Sequence, residues 1–314
     1  MILLKTLGGV LFLLFFLVIG FVQLNKVDDI PVERLKTRWT SNESIFVTIE
    51  SLSLHVMDEG PKDVTAPPIV LIHGTGASLH TWNGWVDALK QERRVIRFDL
   101  PGFGLTGPEP ENNYTIERYT DYVIALLDKL KVERAVLAGN SLGGYIAWAT
   151  AIRYPDKVDS LVLIDASGYP YEAESVPLAF KLSQNKLAKT LLKNFLPKFI
   201  IRKSIENVYG SPDLVTDQLV NRYYELSLRE GNRAAIKERF VQTKPGPLIA
   251  KLADLQIPTL ILWGKKDKLI PMKFAQRFNE DIPNSQLVIF DELGHVPHEE
   301  APLKTVAPVL SFIE

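Results

Sequence analysis

The sequence predicts an α/β fold with a mostly parallel central sheet flanked by helices and an inserted all-helical cap. Three observations predict it. Short, unbroken apolar runs recur along the chain, the pattern of strands covered on both faces. Helix-like stretches fall between them. The alternation breaks once, between about residues 170 and 246, where the pattern is mostly helical and no strand candidate stands out.

Taken in order, residues 6–25 (TLGGVLFLLFFLVIGFVQLN) carry no charge between Lys5 and Lys26. Twenty residues at helical rise cover about 30 Å, a hydrocarbon core. The run has no small-x-small exit of the kind that ends a cleaved signal peptide. The expectation is an uncleaved transmembrane anchor over 1–26. Lys5 on one flank is set against Lys26, Arg34, Lys36 and Arg38 on the other. The orientation is therefore finely balanced, leaning to a body outside the cytoplasm, as in a periplasm. Residues 27–43 are mixed and polar with one Pro, and read as a linker.

From Ile45 the strand pattern begins. Ile45–Ile49 and Leu52–Val56 suit a hairpin near the sheet edge. Pro67 and Pro68 precede the apolar run Ile69–Ile72. Arg94–Phe98, Ala135–Ala138, Leu161–Ile164, Thr259–Trp263 and Leu287–Phe290 follow. Helix-like stretches lie near 82–90, 115–130 and 142–154. The core therefore comes in two parts, 44–169 and 247–314, split by the cap at 170–246. An insert at that point packs over the carboxyl edge of the sheet, where open α/β sheets place their ligands.

Composition removes other classes. The 314 residues include no Cys. That excludes disulfides, thiolate metal sites and a Cys nucleophile. Lys and Arg number 36 and Asp and Glu 37, a net charge of −1. Such a balance gives no electrostatic case for nucleic acid. The charge is unevenly spread. Residues 171–246 hold 13 basic and 8 acidic side chains, and the remainder of the chain is net acidic. In that insert Leu187, Leu191, Phe195 and Phe199 recur every four, widened by Ala188, Leu192, Leu196 and Ile200. Lys186, Lys189 and Lys193 fall largely opposite. This is a basic amphipathic helix kinked near Pro197. It reads first as a cap helix over the active site. A sharper reading leans it on an anionic membrane surface, so that lipophilic substrate enters from the bilayer.

Gly139-Asn140-Ser141-Leu142-Gly143 is the only G-x-S-x-G in the chain. It follows an apolar run and opens a helix-like segment, the strand–turn–helix setting that gives the motif meaning. A nucleophile on so sharp a turn sits in strained backbone, so its neighbours two before and two after must be small. The Leu142 N–H then lies at a helix N-terminus, where it can stabilise an oxyanion.

A serine hydroxyl needs a base. The histidines are His55, His73, His80, His295 and His298. His295 follows the last apolar run, which carries it to the edge where Ser141 stands, and Gly294 lets the backbone turn there. His298 reads as a loop or cap residue, His55 as a packing or surface residue, and His73 as a prop for its loop. The base needs an orienting carboxylate. Asp267 follows Thr259–Trp263, and Asp165 follows Leu161–Ile164 in the same way. Position alone does not separate them. Asp99 precedes the serine, against the order Ser, acid, His. A second oxyanion donor is expected from the loop His73–Ser78: the Thr75 N–H, with Gly76 in reserve. Gly102–Gly107 matches G-x-G-x-x-G, but Pro101 and Pro108 leave no helix to start there, so it reads as a turn and not a dinucleotide site.

HGTGAS (73–78), RFDLPGFG (97–104), GNSLGG (139–144), WGKKDKLIP (263–271) and ELGHVPHEE (292–300) together resemble the α/β-hydrolase fold superfamily, in its order and with comparable spacing across 45–314. The resemblance implies that fold, places the acid in the G-x-x-D segment and so favours Asp267. It is similar in flavour to small capped bacterial carboxylesterases and lipases, and to C–C hydrolases of aromatic degradation. The expected activity is hydrolysis of a lipophilic carboxyl ester by Ser141, His295 and Asp267, with Leu142 and Thr75 as oxyanion donors and no metal or organic cofactor. The alternatives are C–C bond hydrolysis of a diketone-like ring-fission product and a non-catalytic binding protein. A metal site at His295, His298 and Glu299 is disfavoured, because Pro297 spoils the helical spacing.

Overall fold

The structure, a computed structural model, describes residue 12 and residues 16–170, 174–176, 195–246 and 248–314. The described strands form one eight-stranded sheet in the order β1-β2-β4-β3-β5-β6-β7-β8. They are β1 (Ser44–Ile49), β2 (Leu52–Glu59), β3 (Ile69–Ile72), β4 (Val95–Phe98), β5 (Ala135–Asn140), β6 (Val158–Ile164), β7 (Thr259–Gly264) and β8 (Ser285–Phe290). β1 and β2 are an antiparallel hairpin, and β2 meets β4 antiparallel. From β4 through β8 every pairing is parallel.

Among the described residues, the helices that build the body are α1 (Val32–Trp39), α2 (Asn83–Leu89), α3 (Ile116–Lys129), α4 (Leu142–Arg153), α5 (Lys198–Val208), α6 (Asp217–Ser227), α7 (Asn232–Gln242), α8 (Lys273–Asp281), α9 (Pro297–Glu300) and α10 (Pro302–Ile313). Every residue of β3 and β4 is buried. Alternation along a strand explains why an unbroken apolar run is needed. Val70 and Ile72 join α3, α4 and α8 in one core, while Ile69 and Leu71 join α2 and α10 in the other.

The strand order fixes the site. From β3 the chain moves outward to β4, then returns to place β5 on the other side of β3. The carboxyl ends of β3 and β5 therefore flank the crevice where the winding reverses, the usual ligand position in such sheets. The insert contributes α5, α6 and α7, with a small core of Ile201, Ile205, Tyr209, Val215 and Val220. That core includes Val296, the residue after His295. Residues 177–194, which hold most of the basic amphipathic repeat, lie outside the described residues.

The amino-terminal expectation is corrected. Among the described residues no helix is long and apolar enough to cross a membrane. The described helical residues of that stretch are residue 12 and residues 16–24. The chain then turns onto the insert: Lys26 bridges to Phe195, and the Ile30 N–H donates to the Leu228 carbonyl at 2.7 Å. A single-pass anchor, and the placement of the body outside the cytoplasm drawn from it, are not supported. Residues 1–11 and 13–15 of that stretch lie outside the described residues. The segment read as a linker carries α1, whose Leu35 is buried against Leu105 and Leu226.

Candidate active site

Ser141 sits between β5 and α4 with φ 54° and ψ −114°. A positive φ at a residue with a side chain is costly and persists only where surroundings hold it. Here they do. The Ser141 N–H donates to the Ile164 carbonyl at 3.0 Å. Its own carbonyl accepts from the Ser167 N–H and hydroxyl at 3.0 and 3.1 Å. The flanking glycines are required by space. A Cβ at Gly139 would stand 2.2 Å from the Gly143 carbonyl oxygen, and one at Gly143 would stand 2.0 Å from that of Ile72. The sterics expected from the motif are thus present atom by atom.

Leu142 opens α4, so its N–H has no acceptor within the helix. The facing loop is closed by the Ala77 N–H donating to the Gly74 carbonyl at 3.2 Å, with Thr75 in the turn. His73 holds this loop as expected. Its Nδ1–H donates to the Gly74 carbonyl at 2.8 Å, and its Nε2 accepts from the Leu100 N–H at 3.0 Å. Burial lowers its pKa, so the ring is neutral. A Cβ at Gly74 would lie 3.2 Å from the Ser141 Cβ. The Thr75 loop and the serine are therefore immediate neighbours.

The structure joins His295 to Asp267. His295 Nδ1–H donates to Asp267 Oδ2 at 2.7 Å, with both side chains buried. Asp267 Oδ1 accepts from the Leu269 and Ile270 N–H groups at 2.7 and 2.9 Å. Three donors hold that carboxylate. Asp165, the competitor by position, does not take the imidazole. Its Oδ1 accepts only the Gly264 N–H, at 3.1 Å, and its Oδ2 has no ordinary partner.

Two contacts were not legible from motif spacing. Asn140 Nδ2–H donates to the His295 carbonyl at 2.9 Å, so the residue before the serine holds the base's backbone. The signal was a polar side chain at the end of a buried strand. The His295 N–H donates to the Val208 carbonyl of the insert at 2.7 Å. Gly294 serves this approach rather than a free turn. A Cβ there would stand 2.4 Å from the Gly210 nitrogen. Glu300 accepts from the Gly294 and Gly210 N–H groups at 2.8 Å each and locks the same junction.

The remaining histidines do other work. His298 is fully buried, accepts or donates at Thr81 Oγ1 (3.1 Å), and packs its ring 4.1 Å from Trp82. Glu299 pairs with Arg222 and accepts the Tyr223 hydroxyl at 2.8 Å. His295, His298 and Glu299 are not brought together as a shared site. His55 is also buried, bound to Asp99 at 2.8 Å. Gly102–Gly107 is a turn closed by the Gly102 N–H and the Gly107 carbonyl at 2.6 Å, with no helix starting in it.

The strained serine at a strand-to-helix turn, the buried imidazole–carboxylate pair and the winding-reversal crevice define a class. Residues 67–302 match the alpha/beta hydrolase fold family, and the chain belongs to it. It is a hydrolase of that fold. A 2-hydroxy-6-oxo-2,4-heptadienoate hydrolase of Pseudomonas putida is 32% identical over 237 residues, covering 73% of this chain and 82% of the relative. A meta-cleavage product hydrolase of Pseudomonas fluorescens superposes with a TM-score of 0.74 at 27% identity, over 86% of this chain and 97% of that one. A structure described as a membrane phospholipase A, a bacterial virulence factor, superposes with a TM-score of 0.73 at 25% identity, over 99% of this chain and 95% of that one.

Proposed function

We propose that the chain cleaves a carbon–carbon bond beside a carbonyl in a diketone-like, ring-fission type of substrate, through an acyl-enzyme on Ser141. The observation that carries this reading is the likeness to the heptadienoate hydrolase, joined to a site with the parts such a reaction needs. Asp267 fixes the His295 proton on Nδ1, which leaves Nε2 as base. His295 takes the Ser141 proton as Oγ attacks the carbonyl carbon. The Leu142 and Thr75 N–H groups hold the oxyanion. The C–C bond then breaks, its electron pair is delocalised as the enolate of the second carbonyl, and His295 returns the proton to the carbon released from the acyl group. Water, activated by the same imidazole, releases the acid from Ser141. The excess of basic side chains in the insert suits an anionic substrate.

Ester hydrolysis, the reading expected from sequence, becomes the second one. The same parts serve an alkoxide leaving group, and the likeness to the phospholipase extends over nearly the whole chain. Purified full-length protein should be assayed against 2-hydroxy-6-oxo-2,4-heptadienoate and against nitrophenyl esters of graded acyl length. The expected result is a higher kcat/KM for the dienoate, lost in Ser141→Ala. A kcat/KM at least tenfold higher for an ester, roughly 1.4 kcal/mol of transition-state preference, makes the second reading the correct one.

A further inference from the structure

Asp165 is fully buried and lies at the carboxyl end of β6 with φ 44°. Its side chain lies against the proposed catalytic pair: oxygen and nitrogen atoms of Asp165, Asp267 and His295 all fall within 4.8 Å of one another. Two ionised carboxylates do not share a dry site at such range; one keeps a proton. The donor count says which. Asp267 receives three hydrogen bonds, from His295 Nδ1 and from two backbone N–H groups. Asp165 receives one.

The chain supplies its own control. Asp99 is equally buried, yet it receives the His55 Nδ1–H and the Leu79 and Leu105 N–H groups, each at 2.8 Å, and its pKa is held well below the ordinary value. Burial alone does not protonate a carboxyl here; a shortage of donors beside a second carboxylate does. At Asp165, burial and the neighbouring Asp267 both raise the pKa well above the usual range, and Glu300 on α9 adds to the rise.

We propose that Asp165 is a neutral carboxylic acid whose Oδ2–H donates to Asp267, making it a positioning residue for the His295–Asp267 pair. The inference rests on the triad reading above. The added bond gives Asp267 a fourth donor and holds its carboxylate in place against the His295 Nδ1–H. It also gives the partnerless Oδ2 of Asp165 an acceptor. The groups facing Asp165 are Asp267 after β7, His295 after β8 and Glu300 on α9. Once alkaline pH removes the Asp165 proton, the donor becomes a second anion beside Asp267, and turnover falls.

The test compares Asp165→Asn, Asp165→Ala and Asp267→Asn in the full chain, with pH profiles of kcat. An amide at 165 keeps one acceptor for the Gly264 N–H and one donor for Asp267, but it cannot ionise. Asp165→Ala should lower kcat by about 10- to 100-fold, the size of a lost buried hydrogen bond. Asp165→Asn should recover most of that loss, staying several-fold below the native enzyme, and its profile should lack the alkaline fall. Infrared difference spectra of native protein against Asp165→Asn should show a protonated carboxyl band that bleaches over the same alkaline pH range. Equal losses in Asn and Ala with an unchanged alkaline limb, or no carboxylic band, overturn the proposal. A loss in Asp165→Asn as large as that in Asp267→Asn shows that Asp165 acts as an anion and overturns it as well. Failure of the triad reading is separate: it shows as retained turnover in Ser141→Ala or Asp267→Asn, whatever the 165 variants do.

Discussion

The described residues include two serine–histidine–aspartate sets. One is Ser141, His295 and Asp267. The other is Ser44, His55 and Asp99, in which the Ser44 hydroxyl donates to His55 Nε2 at 2.9 Å and His55 Nδ1–H to Asp99 at 2.8 Å. By residue type and hydrogen bonding the second is complete. What differs is the setting. Ser141 stands on strained backbone at a helix N-terminus, beside a loop with a second N–H, at the crevice where the winding reverses. Ser44 begins an edge strand, in extended backbone, and its oxygen accepts the Ser41 N–H at 3.1 Å. It has no helix start behind it to stabilise an oxyanion. On the proposed reading, the stage around the serine oxygen makes the catalytic set, and the same three residue types elsewhere pin a hairpin to the sheet.

This comparison can be broken. The largest effect belongs to Ser141→Ala, which should lower kcat by about 10⁵-fold or more and abolish labelling by a fluorophosphonate. A label appearing on Ser44 in that variant would erase the distinction. Asp267→Asn should cost about 10⁴-fold in kcat with the fold intact, by the tautomer argument established for serine proteases. On the other set the losses should fall on stability. His55→Leu strips Asp99 of its buried partner and should cost about 3–5 kcal/mol in denaturant unfolding, the usual result of breaking a buried pair, while folded protein turns over normally.

Acid sharpens the contrast further. Asp99 has a depressed pKa in the folded state, so its contribution is full above the ordinary carboxylate value, about 4. It drains away as pH falls from there toward the folded value. Denaturant midpoints measured below about pH 5 should slope less in Asp99→Asn than in the native chain. The smallest change is expected for Ser44→Ala: about 1 kcal/mol of stability or less, with kcat unaltered.

Much of the fold was legible because covered strands advertise themselves. β3 is apolar at every position and serves two cores, and β4 departs from that only at Arg97, whose buried guanidinium pairs with Glu59, so both runs were visible. The serine motif was legible because its glycines answer to backbone collisions. The acid was harder. Asp165 and Asp267 follow adjacent parallel strands, so strand position does not separate them; the hydrogen bonds each receives, the His295 imidazole's among them, do. The His55–Asp99 pair joins residues 44 apart through strand pairing that no local pattern reveals. The apolar run near the amino terminus misled, since hydropathy does not say how far one unbroken helix runs, and among the described residues none is long and apolar enough to cross a membrane. There the chain meets the insert, with Phe21 and Phe195 rings 5.9 Å apart.

The bond between the His295 N–H and the Val208 carbonyl is main chain to main chain, and so is the close approach at Gly294 and Gly210. Neither depends on which side chain the insert carries at position 208. Selection can therefore rewrite the insert's side chains, and with them what it admits, while the imidazole keeps its seat, provided Gly210 stays glycine, since a Cβ there would stand 2.4 Å from the Glu292 carbonyl oxygen. In this chain the part free to innovate over substrates and the part that must stay fixed for chemistry are fastened by atoms that every amino acid shares.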